Sequence, residues 1–280
     1  MPTIDSQRGD AALCAPIVLC NGTLEDMPRV LILGGTTEGR LLGERLARRG
    51  DLDVTLSLAG RTTAPVPHAV PVRVGGFGGA AGLADYLRAE RIDALIDATH
   101  PYANVISDNA RTAAQQAAVA FITLNRPPWT AVAGDRWTEV DGTPAAVRAL
   151  GKRPRHVFVA VGRHELKSLT AAPQHHYLIR SVDPVDPPLP LPHATYIKAR
   201  GPFTASDDRA LMSTHGIDVV IAKNSGGNAA YGKIAAAREL GIAVILLRRP
   251  VAAAGSAVAT IEDAIAWLDH RLAPATARGV

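Results

Sequence analysis

The sequence predicts an α/β protein of two Rossmann-like (flavodoxin-like) domains, each carrying a five-stranded parallel sheet, that flank a cleft. Three observations lead there. Short apolar runs alternate with segments of helical periodicity from about residue 29 onward. The 280 residues suffice for two domains of ordinary size, each with its own core. A stretch broken by proline and glycine, running from Asn125 through Pro127-Pro128-Trp129 to Asp135, divides the alternation into two similar halves. Strands alternating with helices imply a parallel sheet covered on both faces, and ligands of such sheets collect beyond the carboxyl ends of the strands.

The elements follow in order. Residues 1–27 read as an N-terminal extension. Its apolar stretch 11–20 faintly resembles a secretory signal, but Asp5 and Asp10 cancel the charge of Arg8, so no basic leader precedes it. Residues 28–130 form the first domain, with strands expected at 30–33, 54–58, 71–74, 94–96 and 120–124 and helices at 38–49, 80–91 and 104–118. Residues 131–272 form the second. There Thr143 is expected to cap a helix with Pro144 at its first position, and strands are expected at 156–161, 177–180, 196–199, 219–222 and 244–247. A last helix is expected near 261–272, where Ile261, Ala264, Ile265 and Leu268 make one apolar face.

Composition narrows the functions. With 47% hydrophobic and 20% charged residues the chain reads as soluble and globular, and no apolar run approaches the ~20 residues that span a bilayer. Aromatics are only 4% and no basic stripe is interleaved with them, which argues against nucleic acid as a partner. The two cysteines, Cys14 and Cys20, both precede the first strand and build neither a disulfide framework nor a zinc site. No metal is expected, and a reducing cytoplasm is the expected setting. Only five of the 30 basic residues are lysines; arginine suits two-pronged binding of carboxylate or phosphate.

Strand ends supply the candidate site. Gly34-Gly35-Thr36-Thr37-Glu38-Gly39 follows the first strand as G-x-T-x-x-G, one residue off the dinucleotide fingerprint, and the free N–H groups of the helix start still make an anion cradle. A bulky residue at Gly34 is expected to abolish cofactor binding and spare the fold. After the second strand come Ser57 and then Arg61, a hydroxyl and a guanidinium suited to a 2′-phosphate, so NADPH is expected over NADH. Gly75 and Gly76 permit close backbone approach after the third strand. Thr99, His100 and Tyr102 follow the fourth; His100 is a candidate acid or anion-binding group. Arg126 follows the fifth, and Trp129 reads as domain packing. The second domain offers Arg163, and then Lys223, Asn224 and Ser225 ahead of Gly226-Gly227. Tyr231 and Lys233 read as half-exposed helix positions.

Together "ILGGTTEGR", "GGFGGAAGLADYLR", "IDATHPYA", "NRPPW", "AVGRHEL", "GPF" and "KNSGGNAAYGKIAAARELGIAVILLRRP" resemble the precorrin-6A reductase family of cobalamin biosynthesis, in order from residue 29 to about 270. The resemblance implies NADPH-dependent reduction of a macrocycle double bond of precorrin-6A to precorrin-6B. It implies the pyrophosphate at Gly34–Gly39, Ser57 and Arg61 near the 2′-phosphate, and cleft arginines and lysines facing the carboxylates of a tetrapyrrole. Hand-over contacts with neighbouring pathway enzymes are a further expectation. Three alternatives stand beside it. One is a cobalt-precorrin-6A reductase using NADH. Another is a two-domain glycosyltransferase-like enzyme, which would need a ribose-binding acid late in the second domain. The last is a cleft-closing solute-binding protein, which would need export.

Overall fold

The computed structural model describes residues 27–60, 67–250 and 255–273. Arg61, Cys14 and Cys20 lie outside the described residues, as does nearly all of the expected extension.

The first sheet is built on β1 (Arg29–Leu33), β2 (Asp53–Leu58), β3 (Val72–Val74), β4 (Ala94–Asp97) and β5 (Ala120–Leu124), all parallel, in the order β3-β2-β1-β4-β5. Val30, Leu31 and Ile32 are fully buried, because a central parallel strand is covered on both sides. On one face α1 (Thr37–Leu46) sets Leu42 and Leu46 against Val30, Ile32, Val54 and Leu56. Burying each such leucine contributes roughly 1.5–3 kcal/mol. On the other face α2 (Gly79–Ala89) and α3 (Asn104–Ala117) cover Leu31, Leu33 and Leu95. Strand order reverses between β1 and β4, so a crevice opens there at the carboxyl edge.

The second half repeats the plan. Its sheet runs β9 (Ala194–Lys198), β8 (His176–Ser181), β7 (His156–Ala160), β10 (Val219–Lys223), β11 (Ala243–Leu247) and β6 (Trp137–Val140). One face is covered by α4 (Gly142–Leu150) and a 3-10 segment, Arg163–Ala171. The other is covered by α5 (Ala205–Thr214) and α6 (Gly232–Glu239).

Several expectations need correction. Each sheet has six strands, and the first five follow the dinucleotide-fold order rather than the flavodoxin order. The missed strands are short edge strands: β6 shows little apolar alternation, and β12 (Ala257–Val258) has two residues. The chain from 131 to 272 does not stay in the second unit. After β11 it crosses back, β12 pairs with β5, and α7 (Ile261–Leu272) buries Ala264 and Leu268 in the first core. Asp141, not Thr143, occupies the N-cap position of α4, without a side-chain capping bond, and Pro144 sits two residues inside the helix start.

Candidate active site

The turn after β1 shows how threonine replaces a glycine. Thr36 caps α1: its hydroxyl accepts from the Gly39 N–H at 3.0 Å and donates to the Ala98 carbonyl at 2.7 Å. The side chain therefore turns toward β4 and leaves the outer face of the turn clear. Gly35 stands at φ +114, and a Cβ there would meet nothing within 4 Å. Backbone can approach a ligand at Gly35, whereas Gly34 serves packing: a Cβ on it would lie 2.6 Å from Leu56 Cδ1. A valine at Gly34 would therefore disturb the core, against the expectation that it would spare the fold. Gly39 lets α1 lie close to β4, with a Cβ there 3.2 Å from Ala98 Cβ. Among the described residues the N–H groups of Gly35, Thr36, Thr37 and Glu38 have no hydrogen-bond acceptor, as at an anion-binding helix start.

Beside this turn, Ser57 is buried at the end of β2, and its carbonyl accepts from the Gly34 N–H at 2.9 Å. Gly75 and Gly76 are organised by Arg73, which sequence reasoning missed. Its guanidinium donates to both carbonyls, at 2.7 and 2.9 Å, and lies 3.7 Å over the Phe77 ring.

The end of β4 leans onto the second sheet. Thr99 donates to Asp97 Oδ1 from N–H and hydroxyl, at 3.0 and 2.7 Å. Tyr102 donates its hydroxyl to the Leu247 carbonyl and accepts the Asn224 N–H at 2.8 Å. Burial pushes its phenol up to about 12. His100 Nδ1 accepts the Tyr102 N–H at 3.3 Å, so Nε2 carries the proton and donates to Ser225 Oγ at 3.2 Å. Burial, then the positive charges of Lys223, Arg126, Arg249 and Lys233, hold His100 down to about 3. Both effects favour a neutral imidazole near pH 7, which speaks against the acid alternative of the expectation and leaves the binding one.

Residues 223–227 form the junction between the sheets. Arg126 ion-pairs with Glu38 of α1 and donates through Nε to the carbonyls of Ser225 and Gly226, at 2.8 and 3.0 Å. Asn224 and Trp129 exchange two hydrogen bonds, 2.7 and 2.9 Å, and the Trp129 indole donates to the Gly227 carbonyl at 2.8 Å. Lys223 pairs with Glu165 at 2.7 Å. Arg126 and Lys223, expected to meet substrate carboxylates, are both already paired with carboxylates of the protein. Arg163 is exposed, 3.4 Å from the Pro184 carbonyl.

Arg249, also missed, is the hub of the junction. It donates to the carbonyls of Asn224, Ser225, Arg126 and Pro127 and to Asn125 Oδ1, at 2.7–3.3 Å. It lies two residues after β11, so inspecting every strand end would have found it. Lys233 is buried rather than half-exposed: it donates to the Ala230 carbonyl and stands 5.1 Å from the Trp129 ring. Burial, then Arg180, draws its ammonium down to about 7. Among the described residues no helix is long and apolar enough to cross a membrane.

Comparison with known proteins agrees with this geometry. The family model described as Precorrin-6x reductase CbiJ/CobK matches residues 29–269. A precorrin-6A reductase of Sinorhizobium sp is 54% identical over 250 residues, covering 89% of this chain and 96% of that protein. One from Rhodobacter capsulatus is 51% identical, covering 91% of this chain and 100% of that protein. A solved structure titled CobK precorrin-6A reductase is 50% identical, with a TM-score of 0.85, and covers 91% of this chain and 100% of its own. The chain belongs to the precorrin-6x reductase family.

Proposed function

We propose that this protein reduces one ring double bond of precorrin-6A, giving precorrin-6B, with NADPH held on the carboxyl edge of the first sheet. The observation that carries the reading is the turn at the β1/β4 crevice: four N–H groups without acceptors among the described residues, and an open backbone face at Gly35. Residues of this kind fit a diphosphate, since oriented N–H groups and the helix dipole favour an anion. Glu38 would oppose one, but Arg126 neutralises it. Thr99, at the end of β4, is a further candidate cofactor contact. Bound NADPH supplies a hydride to one carbon of the double bond.

The protein's own part is positioning and charge. Neutral His100 fixes the Ser225 hydroxyl as acceptor of its Nε2–H, which leaves the Ser225 proton to point at a polar group of the substrate. Tyr102 and Asn224 hold the two sheet edges in register. His100 carries no extra proton at neutral pH, so the proton for the second carbon comes from solvent. Arg61 is the residue proposed for the 2′-phosphate, by its place just after β2 and Gly60.

Relatives named precorrin-6A reductase reach 54% identity, while a cobalt-precorrin-6A reductase of Priestia megaterium is 28% identical, which favours the cobalt-free substrate. The test is initial rates with precorrin-6A and cobalt-precorrin-6A, each with NADPH and NADH. The fastest pair is expected to be precorrin-6A with NADPH; faster turnover of the cobalt complex, or with NADH, overturns the assignment.

A further inference from the structure

A cavity of about 410 Å³ lies at the amino edge of the second sheet, opposite the candidate active site, and four of its lining residues are histidines: His156, His176, His193 and His215. Strand register explains the grouping. His156 and His176 are the first residues of β7 and β8 and pair directly. Tyr177 pairs with Ala194, which sets His193 beside His176. In register-matched parallel strands, neighbouring side chains leave the same face, about 4.8 Å apart. Val157, Tyr177 and Ala194 all pack into the core on the opposite face. The three rings therefore form a row across three strands, with centroids 4.8 Å apart from His156 to His176 and 4.4 Å from His176 to His193. All four histidines are exposed.

We propose that His156, His176 and His193 bind a borderline divalent transition metal such as Zn²⁺ or Ni²⁺, with His215 or water completing a tetrahedral set. Imidazole is the common ligand for such ions. His156 is already arranged for the role. Its Nδ1 faces the Gly216 carbonyl at 3.2 Å and so carries the proton, which leaves Nε2 as a free lone pair. A hydrogen bond at the far nitrogen that fixes tautomer and ring direction is the usual outer support of a metal-bound histidine. Among the described residues no three ligand groups converge as they stand. Binding requires the His176 and His193 rings, exposed at the sheet edge, to rotate out of their stack. The ion would tie β7, β8 and β9 together, so its role is structural rather than catalytic.

The experiment uses the full chain without a histidine tag, titrated calorimetrically with ZnCl₂ and NiCl₂ at pH 7.5 and pH 5.5. One equivalent is expected to bind at the higher pH, with a rise in Tm, and to be lost at the lower pH as the imidazoles protonate. The His176→Gln/His193→Gln variant should keep the metal-free Tm and weaken binding on the order of 100-fold or more. No saturable binding by the wild type, or equal affinity in the variant because other residues hold the ion, overturns the proposal.

Discussion

His100 illustrates how surroundings decide the chemistry of a residue. A histidine before proline at a strand end suggests either an acid near neutral pH or an anion-binding group. Burial first, and then four nearby cations, disfavour a charged ring and so speak for an N–H donor rather than an acid. Its folded-state value, about 3, lies below the ordinary 6.5, so the neutral form is favoured by folding. That stability is complete above pH 6.5 and is lost as pH falls from 6.5 toward 3. His100→Gln should therefore flatten part of the acid limb of stability against pH, while the pH profile of kcat between 6 and 8 stays flat for both proteins. A wild-type kcat inflection near 6.5 that vanishes in the variant would restore the acid role. Gly34 and Gly35 divide a second question. Gly35→Ala places a side chain in open space at a left-handed φ and should cost about 1–2 kcal/mol of stability. Its main effect should be weaker cofactor binding. Gly34→Ala must displace Leu56 and should lower Tm with the smaller effect on cofactor affinity of the protein that remains folded. Comparing Tm and NADPH titrations of the two variants checks the division. Gly35 and Thr36 were legible in sequence as parts of a cradle; that Gly34 packs against β2 was not, because Leu56 is 22 residues away.

At the scale of elements, the periodic segments were readable because burial imposes its period on them. Ten of the twelve described strands, β6 and β12 being the exceptions, and α1, α2, α3 and α7 lie within a few residues of where apolar spacing puts them. What could not be read was which partner each polar strand end would meet. Arg126 looks like a substrate cation from sequence, yet it spans Glu38 and the 225–226 carbonyls. The pair is mostly buried, and removing one member strands the other. Arg126→Ala should cost about 2–3 kcal/mol, below the fully buried range because both side chains retain some solvent contact. It should also weaken NADPH binding by leaving Glu38 charged beside the phosphates. Adding Glu38→Gln to that variant should recover part of the cofactor affinity. Titration of wild type, single and double variants checks this, and a double variant that binds no better than Arg126→Ala contradicts the role given to Glu38.

For the whole molecule, the chain crosses between its sheets twice, and each sheet takes its sixth strand from a crossing segment. That exchange was invisible in a linear reading, because β6 shows little apolar alternation and β12 has only two residues. Arg249 clasps both crossings. Arg249→Met would take the guanidinium donor from the partly buried carbonyls of Asn224 and Arg126, and the loss should reach about 2–3 kcal/mol. A calorimetric scan should show it as a lower, broader transition, whereas a shift equivalent to less than about 0.5 kcal/mol would place Arg249 among ordinary surface contacts. The central claim, that this architecture carries a hydride from NADPH to precorrin-6A, is tested most directly by isotope. Precorrin-6A is incubated anaerobically with the protein and NADPH carrying deuterium at the transferable position, in ordinary water, and the product is examined by mass spectrometry and NMR. One deuterium at a single reduced ring carbon, with the neighbouring carbon protonated from water, is the predicted result. Cofactor oxidation without deuterium in the product, or no consumption of either reactant by the folded protein, would contradict it.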